Sequence, residues 1–465
     1  MNSSKGIGRL GWAITLGTLI PACHLSELPS QQQNVAGALP EGTVVPRQWA
    51  SQTSAGKVTK GWLKSFRDPR LNSLVAEAIS YNPDLRQAAA RVEVARENVT
   101  VINSQLLPQV GGSVSGAAIQ DEDSGSAQSR GATVFVAWEP DVWGRIRSQR
   151  SAAEQSFNSS ALDFAYARQS LAATVAKSWY TAVETRRLVD VAEEGVTVYT
   201  DLLRLVKIQR ESGKVTDLNV VEASADLKAA KGQLKVAQGL YSESRRNLEK
   251  LLGRYPAAEI EVARTFTPIP PPVQADIPSA LIARRPDLVA AECDVLAALR
   301  AEESARLALL PSFFLDVTGG RLSDGLLDLL RLNPWLLRSS IGMNVPIYQG
   351  GRLEAEIRIA NAQQQQALAA YGSAILNAFE EVENALTNES LIDERLQLEK
   401  EELQDRTDAV RIARVQYEAG SIDLLSVLQL QASQLASQTA LVKLQNLQLA
   451  NRINLHLALG GDFRG

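Results

Sequence analysis

The sequences LLPQV at Leu106–Val110 and LLPSF at Leu309–Phe313 decide the fold of this 465-residue chain, because they are the clearest part of an internal repeat. They lie 203 positions apart. Aligning Pro83–Pro108 with Pro286–Pro311 at that offset gives nine identities in 26 positions without a gap. The chain is therefore predicted to be a tandem duplication.

The offset between the two copies becomes 207 after the Leu-Leu-Pro sequences, where Gly144 aligns with Gly351, Gly213 with Gly420 and Gly253 with Gly460. The second copy therefore has four more residues than the first, and they all lie between its Leu-Leu-Pro sequence and Gly351. Segments that run side by side must keep their lengths, whereas a loop can grow. The repeated unit, about 200 residues long, is far longer than a solenoid repeat.

Two proline-free stretches, residues 144–211 and 351–418, carry apolar residues at every seventh position. This spacing is typical of coiled-coil helices, and a helix of 68 residues would be about 100 Å long. An ordinary amphipathic helix is the alternative, but helices of this length are rare in globular cores. Gly213 and Gly420 suit the left-handed backbone of a tight helix reversal, and a returning helix such as Asp217–Leu252 follows each.

Pro108 ends a helix predicted over Leu71–Leu107, and apolar and polar residues then alternate, most clearly at 340–347. Phe314 breaks the alternation in the second copy. Period-two alternation predicts strands with one apolar face, as in a transmembrane β-strand. A soluble hairpin lying on the helices is the alternative. The predicted strand pairs are residues 109–140 and 312–347.

Four strands per chain are too few to close a membrane barrel, which in single-chain proteins starts at eight strands. Unpaired strand edges are not tolerated in lipid. If the predicted strands cross a membrane, several chains must share them.

The N-terminus has the features of a secretory signal peptide. Two positive charges precede the apolar stretch Leu10–Ile20, which is too short to span a bilayer. It continues into LIPAC, which resembles a bacterial lipobox with Cys23 as the first mature, lipid-carrying residue. The residue after Cys23 is His24 and not Asp, which in lipoproteins of this kind fits sorting to the outer membrane. An ordinary signal peptide with an incidental Cys23 is the alternative. Removing residues 1–22 changes the net charge from −4 to −6.

Composition and motifs argue against an enzyme. The net charge of −4 and the lack of a Lys/Arg-rich block argue against a nucleic-acid partner. The two histidines, His24 and His456, are too few for a His-rich metal site, and Cys293 fits helix packing. The sequence lacks the nucleotide-binding, zinc-protease and serine-hydrolase motifs. We therefore predict no catalytic residue, cofactor or metal.

Four sequence landmarks resemble those of TolC-like outer-membrane factors of tripartite efflux systems, most closely the lipoprotein branch. They are WLKSFRDPRLNSLVAEAISYNPDLRQAAARV, WEPDVWGRIRSQR, ARRPDLVAAECDV and PIYQGGRLEAEI. The resemblance covers residues 61–460. It implies a mainly α-helical homotrimer, in which three chains with four strands each form a 12-stranded membrane β-barrel continued by a coiled-coil α-helical barrel. It also implies a periplasmic adaptor (membrane fusion) protein, an inner-membrane pump of the RND type and outer-membrane lipid as partners.

The resemblance also implies a periplasmic gate at the second helix turn. Leu425 matches the family's gate leucine, but Gln429 stands at the usual aspartate position. Asp423 is the substitute candidate, unless it serves only as the N-cap of the returning helix. The predicted adaptor-contacting tips are Gly213, Lys214, Gly420 and Ser421.

The predicted function is passive conduction of drugs or other small molecules from an inner-membrane pump and adaptor across the periplasm and outer membrane. A lipid-anchored periplasmic coiled-coil scaffold is the alternative, and a periplasmic adaptor is a second one, although adaptors usually have a single helical hairpin. The predicted divisions are the signal peptide 1–22, a lipid-anchored segment 23–60, a first repeat 61–253, an equatorial linker 254–280, a second repeat 281–460 and a tail 461–465.

Overall fold

The structure, a computed structural model, describes residues 26–51, 56, 61–121, 125–323 and 336–464. The predicted signal peptide and Cys23 lie outside these residues. The described chain forms two compact units. Unit 1 contains residues 26–29, 99–153 and 298–363, and unit 2 contains the described parts of 30–98, 154–297 and 364–464.

Helices dominate the described residues. In chain order they are α1 (Gln31–Ala38), α2 (Trp62–Ser65), α3 (Pro69–Tyr81), α4 (Pro83–Ser104), α5 (Arg145–Glu211), α6 (Asp217–Leu251), α7 (Pro278–Arg284), α8 (Pro286–Leu307), α9 (Arg352–Glu418) and α10 (Leu424–Ala458). Helices α5 and α9 both contain 67 residues, and α6 and α10 both contain 35. The two predicted long helices and their returning helices are confirmed.

The prediction of one helix over Leu71–Leu107 is wrong in one respect, because the structure has two helices there, α3 and α4. Asn82 has an extended backbone, and Pro83 after it has no N–H to continue the helical hydrogen bonds. The Asn82 side chain accepts a 3.0 Å hydrogen bond from the Leu85 N–H and so caps α4. The second copy has the same interruption before Pro286.

The four strands of unit 1 form one antiparallel sheet in the order β1-β2-β3-β4. They are β1 (Gln109–Asp121), β2 (Gly125–Trp138), β3 (Ser312–Ser323) and β4 (Leu336–Asn344). Both predicted strand pairs are confirmed. The β2–β3 pairing, which places Val136 opposite Val317, joins them into a single sheet whose outer strands are β1 and β4.

Aromatic and aliphatic side chains form the core of unit 2 where the short helices meet the long ones. Trp62 and Phe66 of the α2 region pack with Trp179 and Tyr180 of α5, all at most 2% exposed. The Trp179 indole N–H donates a 2.8 Å hydrogen bond to Asp68, which in turn caps α3. This packing holds α3 against α5 at a fixed position.

Candidate functional site

The two helix turns of unit 2 have the same backbone geometry. Gly213 and Gly420 adopt φ angles of 72° and 78°, as predicted, because only glycine takes this left-handed conformation at little cost. The Lys214 N–H donates to the Gln209 carbonyl at 2.9 Å, and the equivalent bond from the Ser421 N–H is 2.8 Å long. These are Schellman helix ends. All four predicted tip residues are exposed.

Asp423 is the N-cap of α10. Its carboxylate accepts hydrogen bonds of 2.9 Å from the Ser426 backbone N–H and 2.5 Å from the Ser426 hydroxyl. These two bonds hold the pKa of the Asp423 carboxyl below its usual range, so the carboxylate is ionised at neutral pH. Capping therefore accounts for Asp423 within one chain.

Leu425 and Gln429 lie on the exposed face of α10, one helical turn apart. Leu425 is 56% exposed, although Leu424 beside it is buried. Gln429 is also exposed. Because residues four apart point the same way from a helix, the two side chains form one uncovered strip at the start of α10.

Both helix turns share one hydrophobic cluster, which brings the predicted gate and tip residues of unit 2 together. The cluster contains Val206 of α5, Ala223 of α6, Tyr417 of α9 and Val427 of α10. The Tyr417 hydroxyl also donates a 2.5 Å hydrogen bond to the Gln209 side chain on α5. This contact is not predictable from the sequence pattern, because the two residues lie 208 positions apart. The turns of the two helical hairpins therefore pack against each other.

The sheet of unit 1 has one face on which apolar side chains are exposed. Directly opposed residues of antiparallel strands point to the same face, so the register assigns each side chain to a side. Ile341 pairs with Leu315, for example, and is 81% exposed. The most exposed apolar side chains on this face are Val110, Val114, Val134, Leu337, Ile341 and Met343. This exposure contradicts the alternative of a soluble hairpin packed on helices.

The opposite face of the sheet carries mostly small and polar side chains, with Phe135 and Leu336 as exposed apolar residues among them. The Ser113 and Thr133 hydroxyls hydrogen-bond across β1 and β2 at 2.9 Å, and Asp316 lies opposite Ser340 on β3 and β4. Phe314, the exception to the alternation, also lies on this face, with its ring over Gly342. One face of the sheet thus suits lipid and the other suits water.

Aromatic side chains tie the sheet to the adjoining helix ends within unit 1. The Trp138 indole N–H donates a 3.0 Å hydrogen bond to the Leu106 carbonyl, and the Trp143 indole N–H donates one of 2.7 Å to the Pro311 carbonyl. Each Leu-Leu-Pro sequence thus lies where a tryptophan side chain hydrogen-bonds the end of a helix next to the sheet. Across the described ranges, no helix has both the length and the apolar character needed to cross a bilayer.

Comparison with known proteins decides the family. Residues 74–254 and 277–461 match the outer membrane efflux protein family, which is most of the chain. The chain belongs to this family. The first matched segment begins within α3 and the second directly before α7, and both end just after a returning helix, so the family match follows the internal repeat.

Individual relatives agree with this assignment. The chain is 30% identical over 462 residues to the pyoverdine export outer membrane protein OpmQ of Pseudomonas putida, covering 95% of this chain and 98% of OpmQ. It is 27% identical over 409 residues to the cation efflux system protein CusC of Escherichia coli O6:H1, covering 87% and 88%. The crystal structure of the Campylobacter jejuni CmeC outer membrane channel has the same fold, with a TM-score of 0.85, 20% identity and coverage of 92% and 95%. The chain is an outer-membrane efflux channel of the TolC-like type.

Proposed function

We propose that three copies of this chain form a lipid-anchored duct that conducts small molecules, including drugs, out of the cell. The duct serves as the outer-membrane component of a tripartite system with a periplasmic adaptor and an inner-membrane RND pump. It extends into the periplasm, and the energy for transport comes from the pump. Neither catalysis nor a cofactor has a part in this proposal.

The observation that carries the proposal is the sheet of unit 1. Its exposed apolar face suits hydrocarbon, but its outer strands β1 and β4 each have one edge that pairs with no described strand. Unpaired backbone N–H and C=O groups in lipid cost several kcal/mol each. Three copies that pair β4 of one chain with β1 of the next would satisfy every edge in a closed barrel of 12 strands.

The gate belongs to the same proposal. Leu425 and Gln429 are exposed on the first turns of α10, so copies arranged around an axis can bring these side chains together. An apolar Leu425 ring would exclude water and ions by dewetting, and Gln429 would add hydrogen bonds without charge repulsion. We assign Asp423 the supporting role of holding the start of α10, because its carboxylate already binds Ser426.

The partner contacts are proposed at the exposed helix turns. Gly213, Lys214, Gly420 and Ser421 lie at the ends of the two hairpins, where a periplasmic adaptor can reach them. OpmQ is named for pyoverdine export and CusC for cation efflux, so relatives on this scaffold carry chemically different cargo. We therefore propose that the pump selects the cargo and that the duct conducts it.

Lipid attachment at Cys23 is supported by the position of the chain that follows it. The Ser26 backbone N–H and hydroxyl donate hydrogen bonds of 3.1 and 3.0 Å to Glu303 on α8, in the same unit as the sheet. Arg300 holds Glu303 at 2.6 Å. Cys23 precedes Ser26 by three residues in the sequence. Replacing Cys23 with Ser should abolish palmitate labelling, and equal labelling of the variant would disprove the anchor.

The decisive experiment on assembly is the mass of the purified chain in detergent, measured together with conductance in a planar bilayer. We expect a trimer that forms discrete open channels. A stable monomer with normal strand content would contradict the shared barrel. A scaffold protein, the alternative function, would give no channels in the same bilayer.

A further inference from the structure

Helices α5, α6 and α10 of unit 2 line a half-open cavity of about 610 Å³. Pockets that bind drug-sized ligands have volumes of about 300–1,000 Å³, so the cavity can hold such a molecule. On α5 the lining runs from Thr185 to Tyr199, a separation of 14 residues or about 21 Å along the helix. The cavity is therefore a long slot, which suits an elongated ligand.

The walls of the slot are mainly apolar. Leu188 of α5, Leu240 of α6 and Leu435 of α10 each contribute a large apolar side chain. Small residues leave the space between these leucines, namely Ala192, Gly195, Ala229, Ala230, Ala432 and Ala436. Removing apolar surface from water contributes about 25 cal/mol per Å², so the walls favour a ligand with an apolar body.

Asp226 and Lys443 are the two charged side chains that line the slot within the described part of the chain. Asp226 lies 13 residues after Gly213, and Lys443 lies 23 residues after Gly420. Because both turns share one hydrophobic cluster, these counts place the two charges about 15 Å apart along the helices. The slot therefore has a negative end nearer the turns and a positive end farther from them.

The negative end of the slot lacks a counter-charge among the described residues. Asp226 is half-buried and forms no ion pair or hydrogen bond with any of them. Glu222, one turn earlier on α6, is exposed and adds a second negative charge. The Tyr199 ring lies beside Asp226, since burial raises the pKa of the Tyr199 hydroxyl and the Asp226 charge adds to that rise. An aromatic ring next to an unpaired carboxylate attracts organic cations.

The charge at the positive end is compensated within the chain. Burial raises the pKa of the Glu184 carboxyl on α5, and an Asn446 hydrogen bond and the charge of nearby Lys443 oppose that rise. Lys443 is also exposed, so water weakens its field. An anionic ligand would therefore gain less at Lys443 than a cation gains at Asp226.

The slot lies on the same face of α10 as the proposed gate. Side chains at steps of three, four or seven residues point the same way from a helix. On α10 such steps connect the gate candidates Leu425 and Gln429 to three residues of the slot, Ala432, Ala436 and Lys443. In the proposed duct this face points to the axis, so the slot opens into the duct just beyond the gate.

We propose that the slot binds an elongated organic cation with an apolar body. The positive group contacts the Asp226 carboxylate and the Tyr199 ring, and the apolar body lies along the alanines towards Lys443. The role of this site in cargo passage rests on the proposed duct, whereas binding depends on the slot alone. The inference adds a class of cargo, and a position at which that cargo pauses, to the proposed function.

Binding of a styrylpyridinium dye, a rod-shaped aromatic cation, to the purified protein in detergent tests the site. Asp226→Asn keeps the shape of the side chain and removes its charge, and it should raise the dissociation constant about tenfold, the effect of about 1.4 kcal/mol. Glu193→Gln, at an exposed position of α5 outside the slot, is the matched control and should leave binding unchanged. Fluorescence polarisation of the dye measures all three proteins. The uncharged styrylpyridine parent should bind the wild-type protein about as weakly as the cation binds Asp226→Asn.

Filling the slot tests where the apolar body lies. Ala436→Leu should weaken binding of the dye, because the larger side chain occupies the slot. Ala440→Leu, one turn farther along α10, is also at an exposed position but outside the lining, and it should leave binding unchanged. Equal effects of the two substitutions would contradict the slot as the place of binding.

The outcomes separate this inference from the proposed function. Equal affinity of the dye for the wild type and Asp226→Asn would overturn the inference, as would tighter binding of an anionic stilbene sulfonate that Lys443→Gln abolishes. The channel proposal would stand in either case if the protein forms channels in a planar bilayer. A protein that binds the dye through Asp226 but forms no channels would overturn the duct and leave the binding site.

Discussion

Replacing Ile341 with Lys should destabilise the channel in a membrane, because Ile341 lies on the apolar face of β4. A lysine on the lipid face of a membrane barrel costs about 2–4 kcal/mol at the bilayer midplane and little near the interfaces. Ile341 lies three residues before the last residue of β4, Asn344, which is about 10 Å along the strand. We therefore expect a cost of about 2 kcal/mol per chain, or about 6 kcal/mol for three copies.

Ser340→Lys is the matched control, since Ser340 is the neighbouring residue and lies on the polar face. Asp316 is directly opposite on β3, so the new lysine gains a cross-strand partner of opposite charge. Such pairs contribute about 0.2–1 kcal/mol, and the variant should be as stable as the wild type or slightly more so.

The assay for this pair of variants is denaturant unfolding of the protein folded into phospholipid vesicles, with the free energy of unfolding compared among the three proteins. A cost for Ser340→Lys equal to or above that of Ile341→Lys would refute the assignment of the two faces.

Three further predictions concern unit 2. Replacing Leu425 with Ala should raise single-channel conductance, because the apolar ring at the gate becomes smaller; wild-type conductance in a correctly assembled trimer would exclude Leu425 as the gate. Gly420→Ala should cost about 1–2 kcal/mol of stability from the left-handed backbone alone, since nothing lies within 4 Å of the added Cβ. Gly253→Ala should cost more in the same denaturation assay, because its Cβ would also approach the Tyr81 carbonyl oxygen to 2.7 Å; equal costs would contradict this reasoning. Burial, together with the charge of Arg452, lowers the pKa of His456 from 6.5 to about 3. The unfolded chain therefore takes up a proton that the folded chain does not, and stability should fall by about 1.4 kcal/mol per pH unit from pH 6.5 down towards 3. His456→Phe should remove this slope from unfolding measured against pH, and an unchanged slope would show that His456 is not its source.

The sequence predicted what depends on local pattern. The heptads of α5 and α9 and the glycines of the two turns are local signals, and the structure confirms them. The break at Asn82–Pro83 was also a local signal, since Asn-Pro favours a helix boundary. The sequence thus carries the signal that divides Leu71–Leu107 into two helices, and the prediction of one continuous helix is wrong at this point.

The remaining features depend on contacts between distant residues. The pairing of β2 with β3 joins strands from the two copies of the repeat, and neither strand specifies its partner by composition. Tyr417 and Gln209, which share a hydrogen bond, are also far apart in the sequence, and so are Ser26 and Glu303. Asp423 was a candidate for two roles, and only the positions of its oxygens near Ser426 revealed the capping role.

The most direct test of the shared membrane barrel is spin labelling of β4, one residue at a time over 336–344, in vesicles. Collision with molecular oxygen, which concentrates in lipid, should be highest at the odd positions 337, 339, 341 and 343. Collision with a water-soluble nickel complex should be highest at the even positions. Two profiles that alternate in opposite phase are the predicted result, and profiles that show no alternation, or that rise and fall together, would contradict the account.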